Sequence, residues 1–330
     1  LRIEAVVAKD APQARGLSAD VLLGQEEGFK SDSHTLRVQR TESGATFLLG
    51  PGAHTGLNPR SLADGSKDDA DSQLFLDAML AALAPTETEV RALVVTQCPL
   101  GEWLEGSMKD SIKRLLEGRR IVRVDGRAVI VDVQVLEVSC EAVPVLYYLA
   151  ARRELRKGTA YKVADFGGRT LDAAYVAGNL LQATHSRHFE GGLDAARVDA
   201  VADHLSKLGL YGVSRPRIRA AIASKNNRYY HENMQVVDFN GVIEEAEEEY
   251  ARQKISDLTA LWRNVPADQV VINGGAVTPA IMSRLHRQYP RATVIPEDLA
   301  RVANVMGLYH RAVSLHEKAR ISAAREAARA

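Results

Sequence analysis

With 330 residues, 46% hydrophobic and 25% charged, the chain has enough apolar material for one large core or two lobes. Its 42 Lys and Arg balance 42 Asp and Glu, which excludes a global field favouring nucleic acid or an anionic membrane surface. No apolar run reaches the roughly 18 residues of a membrane span and the N-terminus lacks a signal-peptide core, so a cytoplasmic protein is expected. The two cysteines, Cys98 and Cys140, sit among apolar residues without metal-ligand spacing and read as buried, reduced thiols.

Residues 1–7, 20–23, 36–39 and 45–49 alternate or run apolar between turn residues and are expected to be strands. Gly50-Pro51-Gly52 ends that block, and the polar stretch 57–70 reads as a surface loop. Leu74, Phe75, Ala78, Met79, Ala82 and Leu83 fall at helical spacing, closed by Pro85. Residues 90–96 form an apolar run of the buried-strand type, stopped at Cys98-Pro99, and residues 102–117 return to one helical period. Asp125-Gly126, between two apolar runs, predicts a tight β-hairpin. A helix over 143–155, with Pro144 in its first turn, leaves Glu141 at a strand-to-helix junction.

Paired glycines then dominate. Val163 and Ala164 lead into Asp165, Gly167 and Gly168 break the pattern, and residues 171–176 resume it, which predicts a hairpin with an acid near its turn. Adjacent glycines let backbone N–H groups approach an anion, Asp165 can hold Mg²⁺ through water, and Thr170 can donate to a phosphate oxygen. A tight turn with a solvated acid fits the same residues. Gly191-Gly192 precede a predicted helix over 195–208, a position suited to ribose or phosphate and equally to a plain helix start.

Residues 215–224 read as a short basic helix, Lys225-Asn-Asn227 as a turn, and residues 240–262 as a long helix with an apolar face through Ile243, Ala246, Tyr250, Leu258, Leu261 and Trp262. Its acidic run, Glu244, Glu245, Glu247, Glu248 and Glu249, reads as a solvated face. A buried strand over 269–273, broken by Gly274-Gly275, leads to a helix over 278–287 and a brief strand at Val294-Ile295. The last helix starts near Pro296, with an apolar face through Leu299, Val302, Val305, Met306, Tyr309 and Val313 and a fraying tail beyond Leu315. Two α/β lobes are expected, with the glycine turns converging on one ligand in a cleft.

The ordered set Asp165-x-Gly-Gly-x-Thr170-x-Asp172, Glu190-Gly-Gly192, Val271-Ile-Asn-Gly274-Gly275-Ala and Ala303-Asn-Val-Met-Gly307-Leu resembles the actin and seventy-kilodalton chaperone superfamily of ATPases. Within it the chain looks most like the bacterial ParM/StbA plasmid-segregation actins. Supporting stretches are Val94-Val-Thr-Gln-Cys-Pro-Leu-Gly-Glu-Trp103, Val138-Ser-Cys-Glu141-Ala-Val-Pro144 and Lys225-Asn-Asn-Arg-Tyr229.

The resemblance implies an α/β, actin-like two-lobed fold, with a nucleotide cleft between two related domains over 1–157 and 158–315. A tail over 316–330 follows, and the last helix is expected to pack back on the first lobe. ATP or GTP with Mg²⁺ are the implied ligands. Asp165 would be catalytic and hold Mg²⁺ through water, with Gly167, Gly168, Arg169 and Thr170 forming the second phosphate loop. Glu141 matches the acid that positions the attacking water. Gly191 and Gly192 resemble the turn near the ribose, and Gly274 and Gly275 the turn that packs on adenosine. Taken singly, Glu141 also fits a helix cap and Gly274-Gly275 a strand-end turn.

Implied partners are further copies of the chain in a head-to-tail filament and a DNA-binding adaptor, with no direct contact to nucleic acid or membrane, in plasmid or DNA segregation. The polar loop from Gly56 to Ala70 and the basic segment from Arg215 to Arg219 are candidate contact surfaces. The front departs from the family pattern. Family members follow the first strand at once with Asp-x-Gly, whereas here Ala8-Lys9-Asp10 leads to no glycine before Gly16. Either that first phosphate loop is diverged or it is missing from this stretch, and Lys9 and Asp10 are not assigned its role. A nucleotide-binding scaffold that cannot hydrolyse and a small-molecule kinase of the superfamily stand as alternatives.

Overall fold

The computed structural model describes residues 6–9, 36–41, 44–49, 57–61, 69–231 and 235–327. The chain divides into two compact units, 1–96 with 106–138, and 97–105 with 139–330. The strand expected over 20–23 lies outside the described residues. Among the described residues no helix is long and apolar enough to cross a membrane.

The chain begins with β1 (Val6–Lys9), β2 (Leu36–Arg40), β3 (Thr46–Leu49), β4 (Leu57–Ser61) and helix α1 (Ala70–Leu83). It continues through β5 (Glu89–Cys98), α2 (Leu100–Glu105), α3 (Ser107–Leu116), β6 (Gly118–Val124) and β7 (Arg127–Cys140). The strands build a seven-stranded sheet in the order β4-β1-β3-β2-β6-β7-β5. The β6–β7 hairpin turns on Asp125 (φ 49°) and Gly126 (φ 83°), the two positive φ values a two-residue type I′ loop needs. Asp125 also exchanges hydrogen bonds with the Arg37 backbone, its Oδ1 accepting at 2.9 Å and its N–H donating at 2.8 Å, which fixes the hairpin on β2. Asp77 of α1 receives Arg120 of β6 in a two-pronged ion pair at 2.7 and 2.9 Å.

Two expectations are corrected here. Residues 57–61 are a strand, not loop. They lie at the sheet edge against β1, where Pro59 is tolerated because an edge N–H need not join the ladder. The single helix expected over 102–117 is two, because Gly106 adopts φ 87° and breaks the ladder between α2 and α3.

The second unit runs through α4 (Pro144–Ala151), β8 (Ala160–Phe166), β9 (Thr170–Ala177), β10 (Leu180–Leu181), β11 (Arg187–Glu190), α5 (Leu193–Lys207) and α6 (Arg215–Ala223). It ends with β12 (Arg228–Tyr230), β13 (Val236–Asp238), α7 (Asn240–Leu261), β14 (Gln269–Asn273), α8 (Pro279–Gln288), β15 (Thr293–Val294) and α9 (Glu297–Ala327). The main sheet is ordered β10-β9-β8-β14-β15, with β11 also on β9 and β8 parallel to β14. Its central strands are buried on both faces, which is why they read as continuous apolar runs. Tyr161, Val163, Ala174, Val176 and Val271 pack under α4 and α9, whereas Ala164, Phe166, Leu171, Ala173 and Ile272 pack under α7 and α8.

Helix α9 differs from its sequence reading in two ways. It stays helical to Ala327, and its residues from His316 onward are exposed. Its buried side is made by Ala300, Ala303 and Gly307, while Val302, Val305, Met306, Tyr309 and Val313 face solvent. The reason is close approach to α4: a Cβ at Gly307 would fall 1.8 Å from the carbonyl oxygen of Pro144. Small residues therefore outcompete large ones on the packed side. Gly307→Ala is expected to lower stability by about 2–3 kcal/mol through overpacking. Gly241→Ala, where nothing lies within 4 Å of the added methyl, should be neutral or stabilising. Calorimetric unfolding of the two variants checks the contrast, and equal effects would contradict it.

Candidate functional site

Strand register in the second unit places four polar residues in one row. Asp165 of β8 lies opposite Asp172 of β9 and beside Asn273 of β14, and Asp172 lies opposite His188 of β11. Alternation puts Asp165, Asp172 and Asn273 on the face covered by α4 and α9. From α9, Asn304 Nδ2 donates to Asp165 Oδ2 at 2.6 Å, and Asn273 Nδ2 reaches the same oxygen at 3.4 Å. The amide oxygens of both asparagines are buried without a hydrogen-bond partner, so the cluster has acceptor capacity aimed inward that no described group uses. On the far side of the row, His188 Nδ1 lies 2.8 Å from Asp172 Oδ1, and Thr170 Oγ1 donates to Asp172 Oδ2 at 3.3 Å.

Charge is concentrated here. Burial pushes the Asp165 carboxyl up to about 6, hydrogen bonds from Asn304 and Asn273 hold it down, and the charges of Asp172 and Glu141 push it up further. Glu141 thus acts electrostatically on Asp165 from the turn between β7 and α4. That turn is set by Ala142 at φ 72° and by the Glu141 N–H donating to Cys98 O at 2.9 Å. The cap position of α4 falls on Val143, two residues later, with no side-chain capping bond. The Asp172 carboxylate raises the His188 imidazole to about 9 through its hydrogen bond, so the ring is a cation at neutral pH.

The three glycine turns meet beside this row. Gly167 N–H donates to Thr170 O at 2.8 Å and closes the β8–β9 turn. The turn before α5 docks onto it: Gly192 N–H donates to Arg169 O at 2.5 Å and Asp194 N–H to Gly168 O at 2.8 Å. A Cβ at Gly168 would fall 2.2 Å from Asp194 Oδ2, and one at Gly192 would fall 2.3 Å from the carbonyl carbon of Arg169. Gly274, at φ 108°, leaves no room either, since its Cβ would lie 2.2 Å from Phe166 O. These glycines let turns touch one another, a packing role that the sequence reading did not include. Gly191, Gly275 and the Arg169 side chain are exposed at the rim. A cavity of about 570 Å³ opens next to them, lined by Gly168, Leu193, Asp194, Gly275, Thr278 and Glu297. Its wall carries the Arg197–Glu247 ion pair at 2.5 Å. Glu247 is therefore not part of a wholly solvated acidic face; Glu244, Glu245, Glu248 and Glu249 are exposed.

The same fold recurs in known structures. An archaeal actin homologue matches with a TM-score of 0.72 at 17% identity, over 94% of this chain and 92% of its own. The fold is actin-like. The archaeal protein is also known in complex with ADP, and in that form it matches at 0.64, 18% identity, 84% and 89%. Apo pSK41 ParM matches at 0.65, 15% identity, 96% and 91%, and the Alp12 filament structure at 0.63, 15% identity, 95% and 90%. Residues 11–143 match the family model described as actin like proteins N terminal domain. Comparison with curated protein sequences finds no match.

In this actin-like chain Asp165, Gly167, Gly168, Thr170, Gly191, Gly192, Gly274 and Gly275 come from three separate turns of one unit, and Glu141 bears on Asp165 through its charge. Asn273 and Asn304 stand inside the stretches that carry the resemblance but are given no role there, and His188 and the Arg197–Glu247 pair carry no site signal in the sequence. Strand register and helix docking give them their partners. Asp172 carried a signal: it stands seven residues after Asp165 across a tight turn, which makes the two directly opposite. Of the front segment, Lys9 ends β1, while Asp10 and Gly16 lie outside the described residues. Cys98 and Cys140 are buried, as expected.

Among the described residues no three His, Cys, Asp or Glu side chains gather closely enough to ligate a metal directly. A cation held through water still fits: Asp165 is buried near two further carboxylates, and a divalent ion would relieve that repulsion. The cost of the arrangement can be measured. Because the folded-state pKa of Asp165, about 6, lies above its ordinary value of 3.8, its contribution to stability is full at low pH and lost as pH rises through 6. Asp165→Asn should therefore stabilise the ligand-free protein by about 1–3 kcal/mol at pH 8, an advantage that shrinks towards pH 4. Denaturant unfolding at the two pH values checks this, and a variant less stable at pH 8 than at pH 4 relative to wild type would contradict it.

Proposed function

We propose that the protein is a nucleotide-dependent, filament-forming actin-like ATPase or GTPase, acting in plasmid or DNA segregation. The observation that carries this reading is the convergence of three glycine turns and the Asp165 cluster beside a cavity of small-molecule size. The nucleoside would occupy the cavity at Gly275 and Thr278, with Gly191-Gly192 near the ribose and its phosphates directed to the turn at Gly167, Gly168, Arg169 and Thr170. Backbone N–H groups there would offset phosphate charge, because no Cβ bars the approach. Bound Mg²⁺, held by Asp165 through water, would neutralise charge on the phosphates.

Glu141 would orient the attacking water as hydrogen-bond acceptor. The water oxygen bonds to the γ-phosphorus as the β,γ-bridging P–O bond breaks; the nucleoside diphosphate keeps the bridging oxygen, and the water proton passes to Glu141 and on to solvent. The archaeal homologue in complex with ADP and the Alp12 filament support nucleotide binding and self-association as the class of activity. Association through two different faces does not close, so assembly should show a critical concentration. Residues Arg215, Arg217 and Arg219, exposed on α6, are a candidate contact surface, and a DNA-binding adaptor is the proposed further partner. A scaffold that binds nucleotide without hydrolysis is favoured by one observation, the absence of glycine between Ala8 and Gly16.

Two measurements decide between the readings. Wild type should release phosphate from Mg-ATP or Mg-GTP, and Glu141→Ala should lower the rate by about 10²-fold while leaving nucleotide affinity unchanged. Absence of phosphate release with nucleotide bound would favour the scaffold. Sedimentation with a non-hydrolysable nucleotide should yield a pellet above a threshold concentration, and a protein that stays monomeric throughout would overturn the filament assignment.

A further inference from the structure

Outside the residues already given a role, His188 of the second unit is wired into the phosphate turn through Asp172 and Thr170. We propose that His188 is a positioning residue: it holds Asp172, and through Asp172 the Thr170 side chain, while its second ring nitrogen tethers Glu190 at the edge of the Gly191-Gly192 turn. The inference rests on the nucleotide-hydrolysis reading above.

The contacts form one chain across two strands. Glu190 Oε1 lies 3.2 Å from His188 Nε2, His188 Nδ1 lies 2.8 Å from Asp172 Oδ1, and Thr170 Oγ1 donates to Asp172 Oδ2 at 3.3 Å. The ring is protonated at neutral pH, so both nitrogens donate. Asp172 is only 3% exposed. A buried carboxylate with one neutral donor would be poorly compensated, and the imidazolium supplies the charge it needs. Helix α2 closes over the ring: a Cβ at Gly101 would fall 3.3 Å from His188 Cβ, which restricts how far His188 can swing.

What this arrangement fixes is the turn. Thr170 is the residue whose carbonyl accepts from Gly167 N–H, so its position sets the direction of the amides at Gly167 and Gly168. Glu190 stands two residues before Gly192, whose N–H docks on the Arg169 carbonyl. A single ring therefore reaches β9 on one side of the phosphate turn and the end of β11 on the other. Losing it would loosen the turn without removing any group proposed to touch the nucleotide. The expected signature is a defect in turnover that exceeds any defect in binding, because misplacement of about 1 Å costs up to about 10²-fold in rate.

The test compares wild type with His188→Ala, His188→Asn, Asp172→Asn and the double variant His188→Ala/Asp172→Asn. The readouts are phosphate release and affinity for the Mg-nucleoside diphosphate. His188→Ala should lower kcat about 10- to 100-fold while the diphosphate affinity stays within about twofold. Asn places an amide nitrogen near the position of Nδ1 and should recover most of the rate. The double variant should be no slower than the slower single variant, because both remove one connection. Unchanged kcat in both His188 variants, equal losses in kcat and diphosphate affinity, or additive effects in the double variant would each overturn the assignment while wild-type hydrolysis stands. A wild type that binds nucleotide and releases no phosphate would overturn the hydrolytic reading and this role with it.

Discussion

Three backbone turns in the second unit touch one another at distances no side chain would permit. Gly192 rests on Arg169, Gly274 on Phe166, and Gly168 faces Asp194, each with space for a hydrogen atom and not for a methyl group. This constraint orders the rest of the site. It brings the end of β8 against the start of α5 and against the β14–α8 turn, so that elements far apart in sequence line one cavity. Glycine is needed at these positions first by the protein itself, and the opening it leaves for an anion follows from the same geometry.

Against that frame the unit accepts an electrostatic cost. The Asp165 carboxyl is taken out of water with the charges of Asp172 and Glu141 acting on it, and amide donors from Asn273 and Asn304 answer it. Asp172, one strand over, has the opposite solution, a histidine cation at 2.8 Å. Two acids directly opposite each other in a hairpin are thereby driven apart in character, one satisfied and one left with unmet charge. A buried acid raised by desolvation and by named neighbouring charges, as Asp165 is, is a mark of functional sites. Packing serves the same end: Gly307 lets α9 approach α4 closely enough for Asn304 to reach Asp165.

Much of the second unit was legible because its signals are local. The Gly167-Gly168 hairpin, the buried strand over 269–273 and the long helix from Asn240, like the Asp125-Gly126 hairpin of the first unit, follow from period and turn chemistry within short windows. The failures share a different cause. The apolar side of α9 was assigned by hydrophobicity, but contact with Pro144 selects alanine and glycine, leaving the large residues outside. The edge strand β4 carries no alternation and exists through its pairing with β1. His188, Asn273 and Asn304 enter the site only through register and helix docking, which depend on residues more than a hundred positions apart in the case of Asp165.

The central claim is that the glycine turns of the second unit form the phosphate and nucleoside site of an actin-like protein. The most direct measurement is a crystal structure of the chain with Mg²⁺ and a non-hydrolysable nucleoside triphosphate. The account predicts phosphate oxygens at the turn formed by Gly167, Gly168, Arg169 and Thr170, within hydrogen-bond distance of the Gly168 amide, and the nucleoside in the cavity beside Gly275 and Thr278. A nucleotide bound elsewhere, for example in the cavity of about 580 Å³ at Arg40 and Gln73 of the first unit, would contradict it.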